Sequence, residues 1–114
     1  MKKLNLTIDD VPYAAEEALN RLRVNIKFCG KNTRKIVITS SVPNEGKSTV
    51  SIRLWKLLAE AGFPTVFVDV DLRKSEIKEK YKIEGIEEGL NHFLSGMAEY
   101  EDVVYETNIP NAHI

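Results

Sequence analysis

The chain has 114 residues, 43% hydrophobic and 29% charged, with a formal net charge of −1. That composition excludes a largely disordered chain and suits one soluble domain or part of one, and the lack of a basic excess excludes an electrostatic nucleic-acid binder. No apolar run approaches a membrane span, no apolar core follows the basic start at Lys2 and Lys3 as a signal peptide requires, and the single cysteine, Cys29, fits a reducing cytoplasm.

In chain order, residues 1–11 are polar and are expected to form an arm, leaving residues 12–114 as the domain. Pro12 suits the first turn of a helix, and residues 13–28 carry Ala15, Leu19, Leu22 and Ile26 at helical spacing. Glu16 and Glu17 lie early in that helix and Arg21, Arg23 and Lys27 late, the order the helix dipole favours, and Gly30 is placed to end it. Its ordinary role is to pack on a sheet with a charged face in solvent. Residues 36–39, Ile-Val-Ile-Thr, read as a short strand buried on both faces of a parallel sheet.

A helix follows at residues 50–61, with Val50, Leu54, Leu57, Leu58 and Ala61 on its apolar face and Gly62 and Pro64 at its end. Trp55 falls off the centre of that stripe and is expected at a partly exposed edge. A second strand at residues 66–68 leads into Asp69-Val70-Asp71-Leu72-Arg73. A β-α-β unit of this length takes a right-handed crossover, so both strands end at the edge where open α/β sheets bind ligands. Further on, Ser75 caps a helix reaching residue 81, and residues 89–96 and 99–105 form two more short helices. Residues 112–114 begin a strand. Cys29, His92 and His113 have no partners at metal or catalytic spacing, so each defaults to a packing or surface role.

Two stretches carry chemistry. The first is Ser41-Val42-Pro43-Asn44-Glu45-Gly46-Lys47-Ser48, continued by Thr49, between the first strand and the second helix. Backbone N–H groups of such a loop and of the helix N-terminus converge on one volume and bind a phosphate there. Lys47 adds charge to the outer phosphates and the Ser48 hydroxyl ligates Mg2+. Ser41 stands where the strict G-x-x-x-x-G-K-[ST] pattern has glycine. The alternative, an ordinary strand-to-helix turn, does not account for Gly46-Lys47-Ser48 in that context. The second stretch holds Asp69 and Asp71, which alternation in an extended chain puts on one side, where both can address one metal. A lone Asp after a strand is usually a helix cap. A pair followed by Arg73, opposite a phosphate loop, points to the site.

These features resemble the cytoplasmic kinase domain of bacterial tyrosine kinases of the capsular and exopolysaccharide systems. Glu17-Ala18-Leu19-Asn20-Arg21-Leu22-Arg23 is similar to that family's E-x-x-R-x-x-R subunit-contact helix. The stretch from Ile38 to Thr49 is similar to its Walker A loop, and that from Val66 to Arg73 to its Walker A′ motif, D-x-D-x-R after an apolar strand. The resemblance implies an α/β fold, a P-loop NTPase-like parallel sheet flanked by helices, of which the chain holds the N-terminal part. It implies an ATP-dependent protein-tyrosine kinase acting mainly on itself, with ATP and Mg2+ as cofactors. The cofactors would be held by Ser41, Pro43, Asn44, Glu45, Gly46, Lys47, Ser48, Thr49 and Arg73, and the metal by Ser48, Asp69 and Asp71.

Lys47, Asp69 and Asp71 would be catalytic, one aspartate accepting the tyrosine proton. The partners implied are a membrane adaptor of the polysaccharide co-polymerase type, a protein tyrosine and further copies of the chain through Glu17 and Arg23, at the cytoplasmic face of the membrane. Asn20 departs from the contact helix's first Arg, and Ser75 replaces a proline common after the A′ Arg. The chain also stops before a Walker B strand, as a truncated kinase would. Two other readings remain: a P-loop ATPase of the partition and cell-division type, disfavoured because Val42 stands where those proteins have an extra lysine, and a non-catalytic fragment that binds an adaptor.

Overall fold

The structure is a computed structural model and describes residues 1–30, 32–39, 47–70, 77, 81 and 83–114, with only the backbone of Lys47 and Ser48. Helix α1 covers Tyr13–Phe28, as the spacing predicts, and starts after Pro12, whose carbonyl accepts from the Glu16 N–H at 3.0 Å. It lies against α2, Lys47–Glu60, and none of its side chains is fully buried. Helix α2 ends at Gly62 in a left-handed turn with φ of 94°, where Gly62 N–H donates to Ala59 O and Phe63 N–H to Leu58 O. These two bonds satisfy the Ala59 and Leu58 carbonyls of the helix's last turn, and a side chain at that φ is strained. Two short helices follow: α3, Leu90–Leu94, and α4, Tyr100–Val103. His92 Nδ1 accepts from the Gly89 N–H at 3.0 Å and Asp102 from the Glu99 N–H at 3.1 Å, each closing the first turn of its helix.

Four two-residue strands form one sheet in the order β1 (Lys3–Leu4), β3 (Glu106–Thr107), β4 (Ala112–His113), β2 (Thr65–Val66). β1 runs parallel to β3 and β2 parallel to β4, while β3 and β4 are antiparallel. The expected parallel sheet is therefore a mixed one, because a tight connection such as residues 108–111 joins antiparallel strands and leaves no room for a crossover. That connection places Asn111 at φ of 66° and is held by the buried Thr107 hydroxyl, which donates to Ala112 O at 2.8 Å. The core gathers Leu4, Leu6, Ile52, Trp55, Ala59, Ile77, Ile83, Tyr105 and Ala112.

Four expectations are corrected. The N-terminal residues hold an edge strand: Lys3 and Leu4 pair with β3, and the Asn108 amide extends the pairing by accepting from Leu6 N–H at 2.7 Å and donating to Leu6 O at 3.0 Å. Leu4 and Leu6, spaced by two, both reach the core, which a polar-looking segment conceals. Residues 36–38 form no strand among the described residues, since no neighbour supplies a ladder, and Val37 is 83% exposed.

The buried face of α2 is rotated to Ile52, Leu54, Trp55 and Ala59, while Val50 and Ala61 are exposed. Trp55 is only 3% exposed. It packs edge-on against Phe67 at 5.9 Å and 66° between rings, and its indole N–H donates to Thr65 O at 3.2 Å. Such a partner allows a Trp to be buried whole. The expected helix over residues 75–81 lies outside the described residues, apart from the buried, helical Ile77 and Tyr81, whose N–H donates to Ile77 O at 3.0 Å.

Candidate functional site

Two elements set the candidate site. α2 opens at Lys47, so Lys47, Ser48 and Thr49 form its first turn, the end of a helix whose dipole favours anions. β2 leads to Asp69 through Phe67, whose N–H donates to His113 O at 2.8 Å and keeps the chain extended past the assigned strand. The Trp55 indole bonds α2 to Thr65, and its ring clasps Phe67, so helix and strand are fixed side by side. Asp69 lies two residues beyond Phe67, on the same side of the chain where it stays extended.

Trp55, Thr65, Phe67 and Asp69 share a cavity of about 450 Å3. α2 contributes Ser51, Leu54, Trp55 and Leu58, the strand and its extension contribute residues 65–70, and residues 34, 36–38 and 77 complete the lining. Most of the wall is apolar, and Asp69, half-buried, and Arg34 are its two charged residues among those described. Of the residues predicted for the site, Asp69 lines this cavity, and Lys47, Ser48 and Thr49 open α2. Ser41, Pro43, Asn44, Glu45, Gly46, Asp71 and Arg73 lie outside the described residues. Among the described residues no three His, Cys, Asp or Glu side chains are grouped to hold a metal. Nor is any helix there long and apolar enough to cross a membrane.

Arg53, which the periodicity does not single out, organises the helix flank. Its guanidinium donates to Asp9 O at 3.0 Å and to the Tyr81 hydroxyl at 3.1 Å, tying the N-terminal segment and Tyr81 to α2 one turn beyond Thr49. Its Nε is buried without a hydrogen-bond partner among the described residues. An arginine among apolar neighbours on the inner face of a helix was the available signal, and its partners at positions 9 and 81 were not.

Tyr105 plays a similar part on the opposite side. Its buried hydroxyl donates to Glu88 O at 2.9 Å and accepts from the Glu87 and Glu88 N–H groups at 3.3 Å. The two predicted oligomer contacts lie on α1, where Glu17 faces Arg21 at 3.8 Å and Arg23 is half-buried. The titration shifts lie away from the cavity. Lys2 is raised and Glu87 lowered from their ordinary values, chiefly by the hydrogen bond of 2.5 Å between them.

No family model matches the chain. Individual proteins do. It is 44% identical over 95 residues to tyrosine-protein kinase CpsD of Streptococcus agalactiae, covering 83% of this chain and 42% of that one. It is 37% identical over 100 residues to CpsD of Streptococcus pneumoniae, covering 88% and 44%, and 30% identical over 101 residues to tyrosine-protein kinase etk of Escherichia coli K12, covering 87% and 14%. Among solved structures, the crystal structure of the chimerical protein CapA2B2 superposes with a TM-score of 0.74 at 34% identity, over 85% of this chain and 43% of that one. The chain thus spans less than half the length of the relatives it matches.

Proposed function

From a chain that belongs to the bacterial tyrosine-kinase family and spans part of its members' length, we propose that it is the nucleotide-binding portion of a protein-tyrosine kinase of capsular or exopolysaccharide synthesis. The observation that carries the reading is the shared cavity: Ser51, one turn from the start of α2, and Asp69, at the end of the β2 stretch, line one space. A helix N-terminus facing a carboxylate is the donor set Mg2+-ATP takes, because phosphate oxygens need N–H donors and cations while the metal needs anionic oxygen.

In this reading the loop of Ser41, Pro43, Asn44, Glu45 and Gly46 wraps the phosphates with Lys47, and Thr49 and Arg73 complete the nucleotide contacts. Ser48, Asp69 and Asp71 hold the metal. Bound Mg2+-ATP supplies the phosphoryl group, and the protein contributes positioning and charge neutralisation, which dominate this chemistry. Asp69 or Asp71 accepts the proton of the incoming tyrosine. The partners are a tyrosine-bearing protein, further copies of the chain through Glu17 and Arg23, and a membrane adaptor of the polysaccharide co-polymerase type that draws the cytoplasmic chain to the membrane. Coverage of under half of the relatives supports a second reading, in which the chain binds nucleotide and adaptor without transferring phosphate.

Calorimetric titration with ATP tests the proposal. Lys47→Ala removes a charge-assisted contact of about 1.5–3 kcal/mol, so Kd rises about 10- to 100-fold. Asp69→Ala weakens binding in Mg2+ and leaves it unchanged in EDTA. Equal affinity of both variants and the parent chain for Mg2+-ATP removes the proposal. Phosphate transfer to a tyrosine peptide then separates the two readings.

A further inference from the structure

Helix α2 grips the chain on both sides of Asp69. Ahead of it, the Trp55 indole bonds to Thr65 O and its ring packs on Phe67. Beyond it, the Arg53 guanidinium donates from Nη1 to the Tyr81 hydroxyl at 3.1 Å and from Nη2 to Asp9 O at 3.0 Å. Nη1 also lies 3.5 Å from Thr49 O, in the first turn of the helix. Tyr81 is bonded through its N–H to Ile77 O, and Ile77 is buried in the core. The helix does not need this arginine to stay in place, since Ile52, Trp55 and Ala59 seat it. Burying Nε without a partner among the described residues costs stability, so packing alone does not account for an arginine here.

We propose that Arg53 is a positioning residue of the nucleotide site, acting through Tyr81. In the site as proposed, on which this inference rests, Asp69 and Asp71 hold the metal and Arg73 reaches the nucleotide. Asp71 and Arg73 lie in sequence between the Trp55 grip at Phe67 and the Arg53 grip at Tyr81. Holding both ends of a stretch on one helix restricts the residues between, so less freedom is lost when they take up their ligand. Releasing Tyr81 loosens that stretch and leaves the first turn of α2 as it was. The loss therefore falls on the metal-dependent part of nucleotide binding. A forked guanidinium suits the task, because its two Nη atoms serve two separate segments at once, which a single ammonium nitrogen does not.

Calorimetric titration with ATP, in Mg2+ and in EDTA, tests this on Arg53→Met, Tyr81→Phe and their double variant, beside Asp69→Ala. In Mg2+, Arg53→Met and Tyr81→Phe each raise Kd about three- to tenfold. The double variant raises it no further than Arg53→Met, because the same bond is lost in both. In EDTA all three keep the parent affinity, a result that a general loss of structure does not give. Tyr81→Phe keeps the ring and removes only the hydroxyl, so it carries the test should Arg53→Met not fold. Equal weakening in EDTA, additive effects in the double variant, or unchanged Mg2+-ATP affinity in the single variants each overturn the proposal alone, provided Asp69→Ala still weakens binding. A parent chain that binds no Mg2+-ATP, or an Asp69→Ala variant that binds it unchanged, overturns the site assignment and this proposal together.

Discussion

At the scale of single residues, Trp55 is the joint between helix and strand, and its two contributions separate by substitution. Trp55→Phe keeps a ring against Phe67 but strands the Thr65 carbonyl, at a cost of about 1–2 kcal/mol, whereas Trp55→Ala also opens a cavity and costs about 3–5 kcal/mol. Urea unfolding followed by far-ultraviolet circular dichroism reads both without relying on indole fluorescence. Lys2 and Glu87 give a contrasting case. Glu87 titrates below its ordinary 4.5, so the pair's contribution is present above that value and is lost as pH falls through the lowered one. Lys2 titrates above 10.5, so its share is present below that value and is lost at higher pH. Both side chains are exposed, and salt screens them. Glu87→Gln therefore narrows the stability gap between neutral pH and about pH 3 only slightly, and the difference vanishes in high salt.

At the scale of elements, α2 depends on how it stops. Gly62 holds a φ of 94° while its amide and that of Phe63 close the helix end, so Gly62→Ala puts a Cβ into the left-handed region at about 1–2 kcal/mol. Among the described residues nothing lies within contact distance of the new methyl, so the loss is conformational, and Gly62→Asn recovers part of it. Thermal unfolding of the three proteins gives the order Gly, Asn, Ala. That stop was legible in the sequence, as were both ends of α1 and the short helices α3 and α4, because caps and helical spacing are local. The orientation of α2 was not. Val50, Leu54, Leu57, Leu58 and Ala61 make as good a stripe as Ile52, Trp55 and Ala59, and only the position of β2 decides between them. For the site, the order of α2, β2 and Asp69 was legible from motif spacing, while the expected loop lies outside the described residues. The clamp from Arg53 to Asp9 and Tyr81 was not, since its partners lie 44 and 28 residues away.

At the scale of the whole molecule, the sheet joins the two ends of the chain: Lys3 pairs with Glu106 and Leu4 with Thr107. Pairing across such a separation leaves no local trace in sequence, and for that reason residues 1–11 read as an arm. Their deletion distinguishes arm from strand. An arm leaves stability within about 0.5 kcal/mol. Removing residues 1–6 instead takes away two buried leucines, each contributing about 1.5–3 kcal/mol, together with the ladder that covers the outer edge of β3. Against a total stability of about 5–15 kcal/mol, the deletion removes a large part of the reserve. The expected result is a lowered thermal midpoint and association through the newly bared β3 edge, read by circular dichroism and sedimentation. Leu6→Ala, at about 2–5 kcal/mol, lowers the midpoint while keeping the ladder and the monomer. Destabilisation in both variants with association in the deletion alone assigns the core contribution to the leucines and the edge protection to the strand.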